Sequence, residues 1–248
     1  MMNRLKIENL TKKYQLEDMA VDALSGINLE IEQGEFIAIV GRSGSGKTTL
    51  LRILAGLEEQ TSGKIYFRGR ECTVDAPLPT GMVFQEARLM PWLSVESNVL
   101  FPFLPKGRDE AMHRKALSLL EMLGLSGYEN AMPFQLSGGM AQRVALGRAL
   151  IRDPEIILLD EPLGALDYFT RRTLQSELVR IYRGGGKTFI MVTHDVGEAL
   201  RLGTRVLVLK NGKIDVSVNV PMGYPRVRNS PEFQALVDRV LGAIEDSE

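Results

Sequence analysis

Cysteine is nearly absent. Cys72 is the single thiol in 248 residues, so no internal disulfide can form and no cysteine cluster can hold a metal. A partly buried, unreactive thiol with no role is the expectation for it. Long apolar runs are missing too: FIAIV, IILL and VLVL fall far short of the roughly 18 apolar residues that span a bilayer. An excess of charge of either sign is also lacking. Thirty Lys and Arg against thirty-one Asp and Glu leave a net charge of −1, which supplies no global field to hold a nucleic acid by counterion release. The opening MMNRLKIENLTKKY carries basic residues but no apolar stretch behind them, so nothing routes the chain to secretion and a cytoplasmic location is expected. Internal repeats and low-complexity tracts are absent.

What is present suits a soluble globular protein. An apolar fraction of 44% and a charged fraction of 25% are near the globular average, and the length suits one large domain or a domain with an insertion. Eight runs read as strands: LKIENL, INLEIE, EFIAIV, KIYFRG, GMVFQ, EIILLD, TFIMVT and RVLVLK. Those at 36–40, 156–159 and 189–192 are apolar at consecutive positions, as parallel strands covered on both faces require. INLEIE alternates instead, with Ile27, Leu29 and Ile31 on one face, which suits an antiparallel sheet. An α/β core with an antiparallel layer beside it follows. Between Gln85 and Pro154 the strand signal lapses, and 109–123 places Ala116, Leu119, Leu120 and Leu123 at helical spacing with Gly124 as a stop. After a Pro/Gly-rich bend, Phe233, Leu236, Val237, Val240, Leu241 and Ile244 recur at helical spacing, predicting a docked amphipathic helix. The division expected is a core of 1–85 and 154–222, a helical part over 86–153, and a terminal bend and helix over 223–248.

The segment GRSGSGKTT follows an apolar strand and precedes the helix-compatible TTLLRILAGL. In that context Gly41-x4-Gly46-Lys47-Thr48 reads as a phosphate loop, with inward backbone N–H groups, Lys47 reaching β and γ phosphates, and Thr48 offering a hydroxyl to Mg²⁺. GGGKT at 184–188 imitates the motif's end, but a strand follows it, so it reads as a turn. EIILLDEP ends a buried strand with Asp160 and Glu161, adjacent and pointing different ways at the edge where α/β sheets bind ligands. Asp160 can hold the Mg²⁺ shell while Glu161 orients and deprotonates the attacking water. A second glycine pair, in LSGGMAQR, opens another helix without any lysine; Ser137, Gly138 and Gly139 can present N–H groups and a hydroxyl to an anion, completing a site rather than making one.

With Gln85 and His194 each following a strand, the set resembles the ATP-binding cassette family, the ATPase subunits of ABC transporters, over about residues 4–220. The fold implied is a P-loop NTPase with a RecA-like parallel-sheet core, an antiparallel β-subdomain and a helical insertion. By position, Tyr14 looks like the aromatic that stacks on adenine, and Gly41, Arg42, Ser43, Gly44, Ser45, Gly46, Lys47, Thr48 and Thr49 like the Walker A loop. Gln85 resembles the Q-loop glutamine, a metal contact beside Thr48 and Asp160. Ser137 to Gly139 match the signature, Asp160 and Glu161 Walker B, Asp167 the D-loop and His194 the switch histidine. His113 has no such context and is expected as an exposed helical residue.

The resemblance implies ATP and Mg²⁺ as cofactors and a head-to-tail homodimer that sandwiches two ATP molecules between Walker A of one chain and the signature of its mate. It also implies transmembrane permease subunits docking near Gln85 to Leu93, where Leu89, Met90, Trp92 and Leu93 are candidate anchors, and an extracytoplasmic solute-binding protein acting indirectly. The chain would then lie on the inner face of the membrane. Local wording such as VFQEARLMPWLSVESNV is most like bacterial importers of nitrate, sulfonate, taurine and bicarbonate. Met140, where glutamine is commoner, and Gly197, within a helix, depart from the general pattern. A DNA-maintenance ATPase is disfavoured because no coiled coil separates Walker A from the signature. A translation-associated module is disfavoured because the chain carries one cassette.

Overall fold

The computed structural model describes residues 4–16, 19–103 and 109–245. The chain opens with β1 (Arg4–Leu16) and β2 (Met19–Glu32), then β3 (Phe36–Val40) and α1 (Lys47–Leu54). Strands β4 (Ser62–Phe67), β5 (Arg70–Glu71) and β6 (Thr80–Val83) follow, and then α2 (Val95–Val99), α3 (Glu110–Met122) and α4 (Gly138–Leu150). Strand and helix alternate through β7 (Ile156–Asp160), α5 (Tyr168–Gly185), β8 (Thr188–Val192), α6 (Val196–Leu202) and β9 (Arg205–Lys210). Strand β10 (Lys213–Asn219) and α7 (Pro231–Glu245) complete it.

Two sheets form, of order β2-β1-β4-β5 and β10-β9-β3-β8-β7-β6. The first is antiparallel. The second is parallel except for its β10 edge. Consecutive apolar residues in the parallel strands divide between two cores: Phe36, Ala38 and Val40 face one, Ile37 and Ile39 the other. Strands β7 and β8 divide alike, so a sheet covered on both faces explains the unbroken apolar runs. Ile27, Leu29 and Ile31 turn to the core that the antiparallel sheet shares with Leu50, Leu51 and Leu54 of α1. The opposite core takes Ala116, Leu120 and Leu123, with Leu119 partly buried beside them, and the chain turns at Gly124 with φ +66°.

Some elements differ from expectation. Strand β10 extends the large sheet beyond RVLVLK, joined through Asn211-Gly212, both at positive φ, the two-residue turn that matches strand twist. Helix α7 packs on α6, β9 and β10 through Phe233 and Val240, but Leu241 is exposed. Residues 104–105, the end of the apolar segment after Gln85, lie outside the described residues.

Candidate functional site

Strands β3, β8, β7 and β6 are neighbours and run parallel, so their carboxyl ends share one edge. The segment leaving each carries an expected site residue: the loop 41–46 after β3, His194 after β8, Glu161 after β7 and Gln85 after β6. Open α/β sheets place ligands at this edge.

Two glycines make the loop possible. Gly46 caps α1 at φ +100°, and a Cβ there would lie 2.3 Å from the Ala23 carbonyl oxygen. A Cβ on Gly41 would meet the Leu209 carbonyl oxygen at 2.1 Å. Since Gly46 has no side chain to cap α1, none competes for the helix's first N–H groups, which suits an anion. Arg42, Ser43 and Gly44 are exposed, while Ser45 is buried with its hydroxyl unpaired. Lys47 is only 7% exposed, and its ammonium donates to the carbonyls of Gly41 and Arg42, at 2.9 Å each. Burial pushes its pKa down, against the opposing charges of Glu161 and Asp160. A phosphate would offset that desolvation.

Thr48 Oγ1 donates to Asp160 Oδ1 at 3.2 Å. Burial pushes the Asp160 carboxyl above its ordinary range, the Thr48 hydrogen bond opposes this, and the charge of Glu161 adds to it. A hydroxyl and a carboxylate oxygen side by side fit a Mg²⁺ that keeps waters and substrate phosphates as its other ligands. Among the described residues no cluster of three or more His, Cys, Asp or Glu forms an all-protein cage.

Glu161 lies one residue beyond β7 in the left-handed region, at φ +42°, with its N–H donating to Val192 at 3.0 Å. Such a residue costs about 1–3 kcal/mol and persists where surrounding structure holds it. Glu161 Oε2 meets His194 Nδ1 at 2.9 Å. Gln85 converges on the same place: a Cβ on Gly164 would lie 3.7 Å from Glu161 Oε2 and 3.8 Å from Gln85 Nε2. Tyr14 lies beside α1, its hydroxyl 3.5 Å from Thr49 Oγ1 and its ring centroid 5.0 Å from the Lys12 ammonium.

The second glycine pair is built differently. Ser137 caps α4 by accepting the Met140 N–H at 3.3 Å, and Ser137 and Gly138 are exposed. Gly139 is buried; a Cβ there would lie 2.1 Å from Thr170 Cγ2, so its bareness serves the packing of α4 on α5. Met140 is partly buried against the core, which accounts for an apolar residue there. Helix α4 packs on α2, α3, α5 and β6, whereas α1 packs on β2, β7 and β8. Asp167 caps α5, accepting N–H groups of Phe169 and Thr170 at 3.0 and 3.1 Å; bonds from Thr170 above all hold its carboxyl below the usual range. In GGGKT the glycines close α5, with Gly186 at φ +60° as its cap. His113 is exposed on α3 and contacts Glu96. Burial raises the Cys72 thiol pKa, which lowers its reactivity.

Three further side chains shape the site's surroundings. Asn98 is fully buried; its amide N–H groups reach the carbonyls of Met90, Leu93 and Ser94, and its oxygen accepts the Met90 N–H. It clasps the loop that carries Trp92, which is 70% exposed. Leu89 packs partly against the core, and Met90 and Leu93 are partly buried. From α4, Gln142 donates to the Phe84 carbonyl at 2.9 Å, and Arg148 donates to Ala87 and Arg88 at 2.6 and 2.8 Å. Helix α4 therefore holds the backbone on either side of Gln85.

Comparison with known proteins bears directly on this site. Residues 24–164 match the family model described as ABC transporter. An uncharacterised ABC transporter ATP-binding protein of Methanocaldococcus jannaschii is 46% identical over 248 residues, 98% of this chain and 92% of its own length. The aliphatic sulfonates import ATP-binding protein of Bacillus subtilis is 44% identical, over 96% of this chain and 92% of that protein. Among solved structures, a dimeric ATP-binding cassette in a post-hydrolysis state with ADP and Pi superposes with a TM-score of 0.78 at 37% identity, covering 88% of this chain and 100% of that one. The chain belongs to the ABC transporter family, as an ATP-binding, ATP-hydrolysing subunit.

Proposed function

We propose that this subunit powers import of a small oxyanionic solute, of the sulfonate or nitrate kind, by ATP-driven head-to-tail closure of two copies beneath transmembrane permease subunits. The observation that carries the catalytic part is the pairing of Glu161 with His194 beside the Lys47 loop. Water attacks the γ phosphorus, Glu161 Oε2 takes its proton, and the bond to the bridging oxygen breaks to leave ADP. His194 fixes the Glu161 carboxylate; Lys47 and the α1 N–H groups take the phosphate charge. Thr48 and Asp160, with Gln85, would hold Mg²⁺, which would supply neutralisation of phosphate charge. Tyr14 offers its ring to the base, and Asp167 lies at the dimer seam.

Support for import comes from the sulfonate-import relative. No helix among the described residues is long and apolar enough to cross a membrane, so the spanning part of a transporter falls to partner subunits, and we place the chain as a peripheral protein on the inner membrane face. A solute-binding protein would supply cargo from outside without touching this chain. Exposed Trp92, on a loop clasped by Asn98, offers a permease helix an aromatic anchor. Motion there would reach the signature through Arg148 and Gln142. We assign 1–85 and 154–222 to the nucleotide-binding core, 86–153 to the helical part, and 223–248 to the terminal bend and helix.

Glu161→Gln keeps the shape of the side chain and removes the base. Its ATP turnover should fall by about 10²–10⁴ with ATP affinity retained, measured by phosphate release and nucleotide titration; wild-type turnover would refute the role.

A further inference from the structure

Away from the phosphate edge, a cavity of about 480 Å³ opens between α5, α6 and the segment 225–229. Arg172 enters it from α5, Arg201 from α6 and Arg228 from the segment. Among the described residues no carboxylate forms a salt bridge with any of the three; Arg172 instead donates to the Tyr168 hydroxyl at 3.1 Å. Two acids, Asp195 and Glu198, line the cavity beside five arginines. Asp195 caps α6 through the Glu198 N–H at 2.9 Å, and Glu198 accepts the Thr193 hydroxyl at 3.0 Å and faces Arg171 at 3.5 Å. Arg226, also lining, is spent on the carbonyls of Leu200, Gly203 and Met222, at 2.5, 2.6 and 3.0 Å.

Gln175 adds an amide to the lining. It is 5% exposed and lines the cavity, yet its amide oxygen has no hydrogen-bond partner. A buried amide group without a partner is costly. Its amide nitrogen is the donor half of the group, the half that an anion can use. Burial, and then the like charges of Arg172 and Arg228, lower the pKa of Arg201, and the lining holds five arginines against two carboxylates. Gly197 belongs to the same arrangement. A Cβ on it would lie 3.1 Å from Asp195 Oδ1 and 3.4 Å from Arg228 Nη2, so the glycine that costs α6 some stability lets Arg228 lie close against the helix.

We propose that this cavity binds a small multiply charged oxyanion, such as sulfate or phosphate, held by Arg172, Arg201, Arg228 and the Gln175 amide. Guanidinium forks suit such ligands because they donate in parallel pairs. The cavity volume lies within the range of small-molecule sites. The site is separate from the Lys47 loop and stands whether or not the transported solute is a sulfonate. It lies against α6, whose capping residue Asp195 directly follows His194.

The test uses the full chain with saturating ADP, which occupies the Lys47 loop. Sodium sulfate, and separately phosphate, is titrated at constant ionic strength against sodium chloride, and binding is followed by calorimetry and thermal shift. Saturable binding of either anion is expected, weakened at least about tenfold in the Arg201→Gln/Arg228→Gln double variant, as loss of charge-assisted bonds implies. ADP affinity should not change. Arg228→Gln alone, at an exposed position, should also weaken binding and keeps the test decisive if the double variant folds poorly. A response no different from chloride in the wild type, or equal affinity in the variants, overturns the proposal.

Discussion

Two helices in this protein begin at glycines, and they use them in opposite ways. At α1 the cap is Gly46, left-handed and without a side chain, and the loop before it wraps a buried lysine. At α4 the cap is Ser137, which already satisfies one backbone N–H, and the glycine that cannot be replaced is Gly139, pressed against Thr170. The first start is shaped to hold an anion alone. The second presents an exposed Ser137 and Gly138 with no cation, on a helix that shares no principal packing partner with α1. Under the proposed closure, it completes the mate's site.

Alanine at each glycine should separate these uses. Gly46→Ala is expected to have the larger effect, because its Cβ would meet both a backbone oxygen and Leu24 Cδ2 at 2.9 Å, in a left-handed conformation. ATP affinity should fall roughly 5–150-fold for a strain of 1–3 kcal/mol, measured by nucleotide titration. Gly139→Ala should leave ATP affinity unchanged while overpacking the α4–α5 contact by about 1–3 kcal/mol. Its unfolding midpoint should drop by roughly 2–10 °C, read by calorimetry, and turnover should fall with it. If Gly139→Ala weakened ATP binding as much as Gly46→Ala, the two helix starts would not be doing separate jobs.

Local chemistry was what the sequence displayed best. FIAIV, IILL and TFIMV are buried on both faces, so their lack of alternation reported a parallel sheet directly. The loop 41–46 and the acid pair stand at the ends of such strands, so their shared sheet edge was legible. Strand β10 lies outside the eight expected runs, although Asn211-Gly212 carries the Asn-Gly hairpin signal. What stayed hidden depends on distant backbone. Asn98, Gln142, Arg148 and Arg226 all hold main-chain carbonyls, and a carbonyl has no residue identity for a sequence pattern to reveal. The packing role of Gly139 was hidden for the same reason, because Thr170 lies 31 positions away along the chain.

Analytical ultracentrifugation of the Glu161→Gln protein with and without ATP tests the shared-site claim most directly. A shift from monomer to dimer on adding ATP is predicted, and it should be lost when Ser137→Arg is added at the exposed cap of α4. An ATP-loaded Glu161→Gln protein that stays monomeric, or a dimer indifferent to Ser137→Arg, would contradict it.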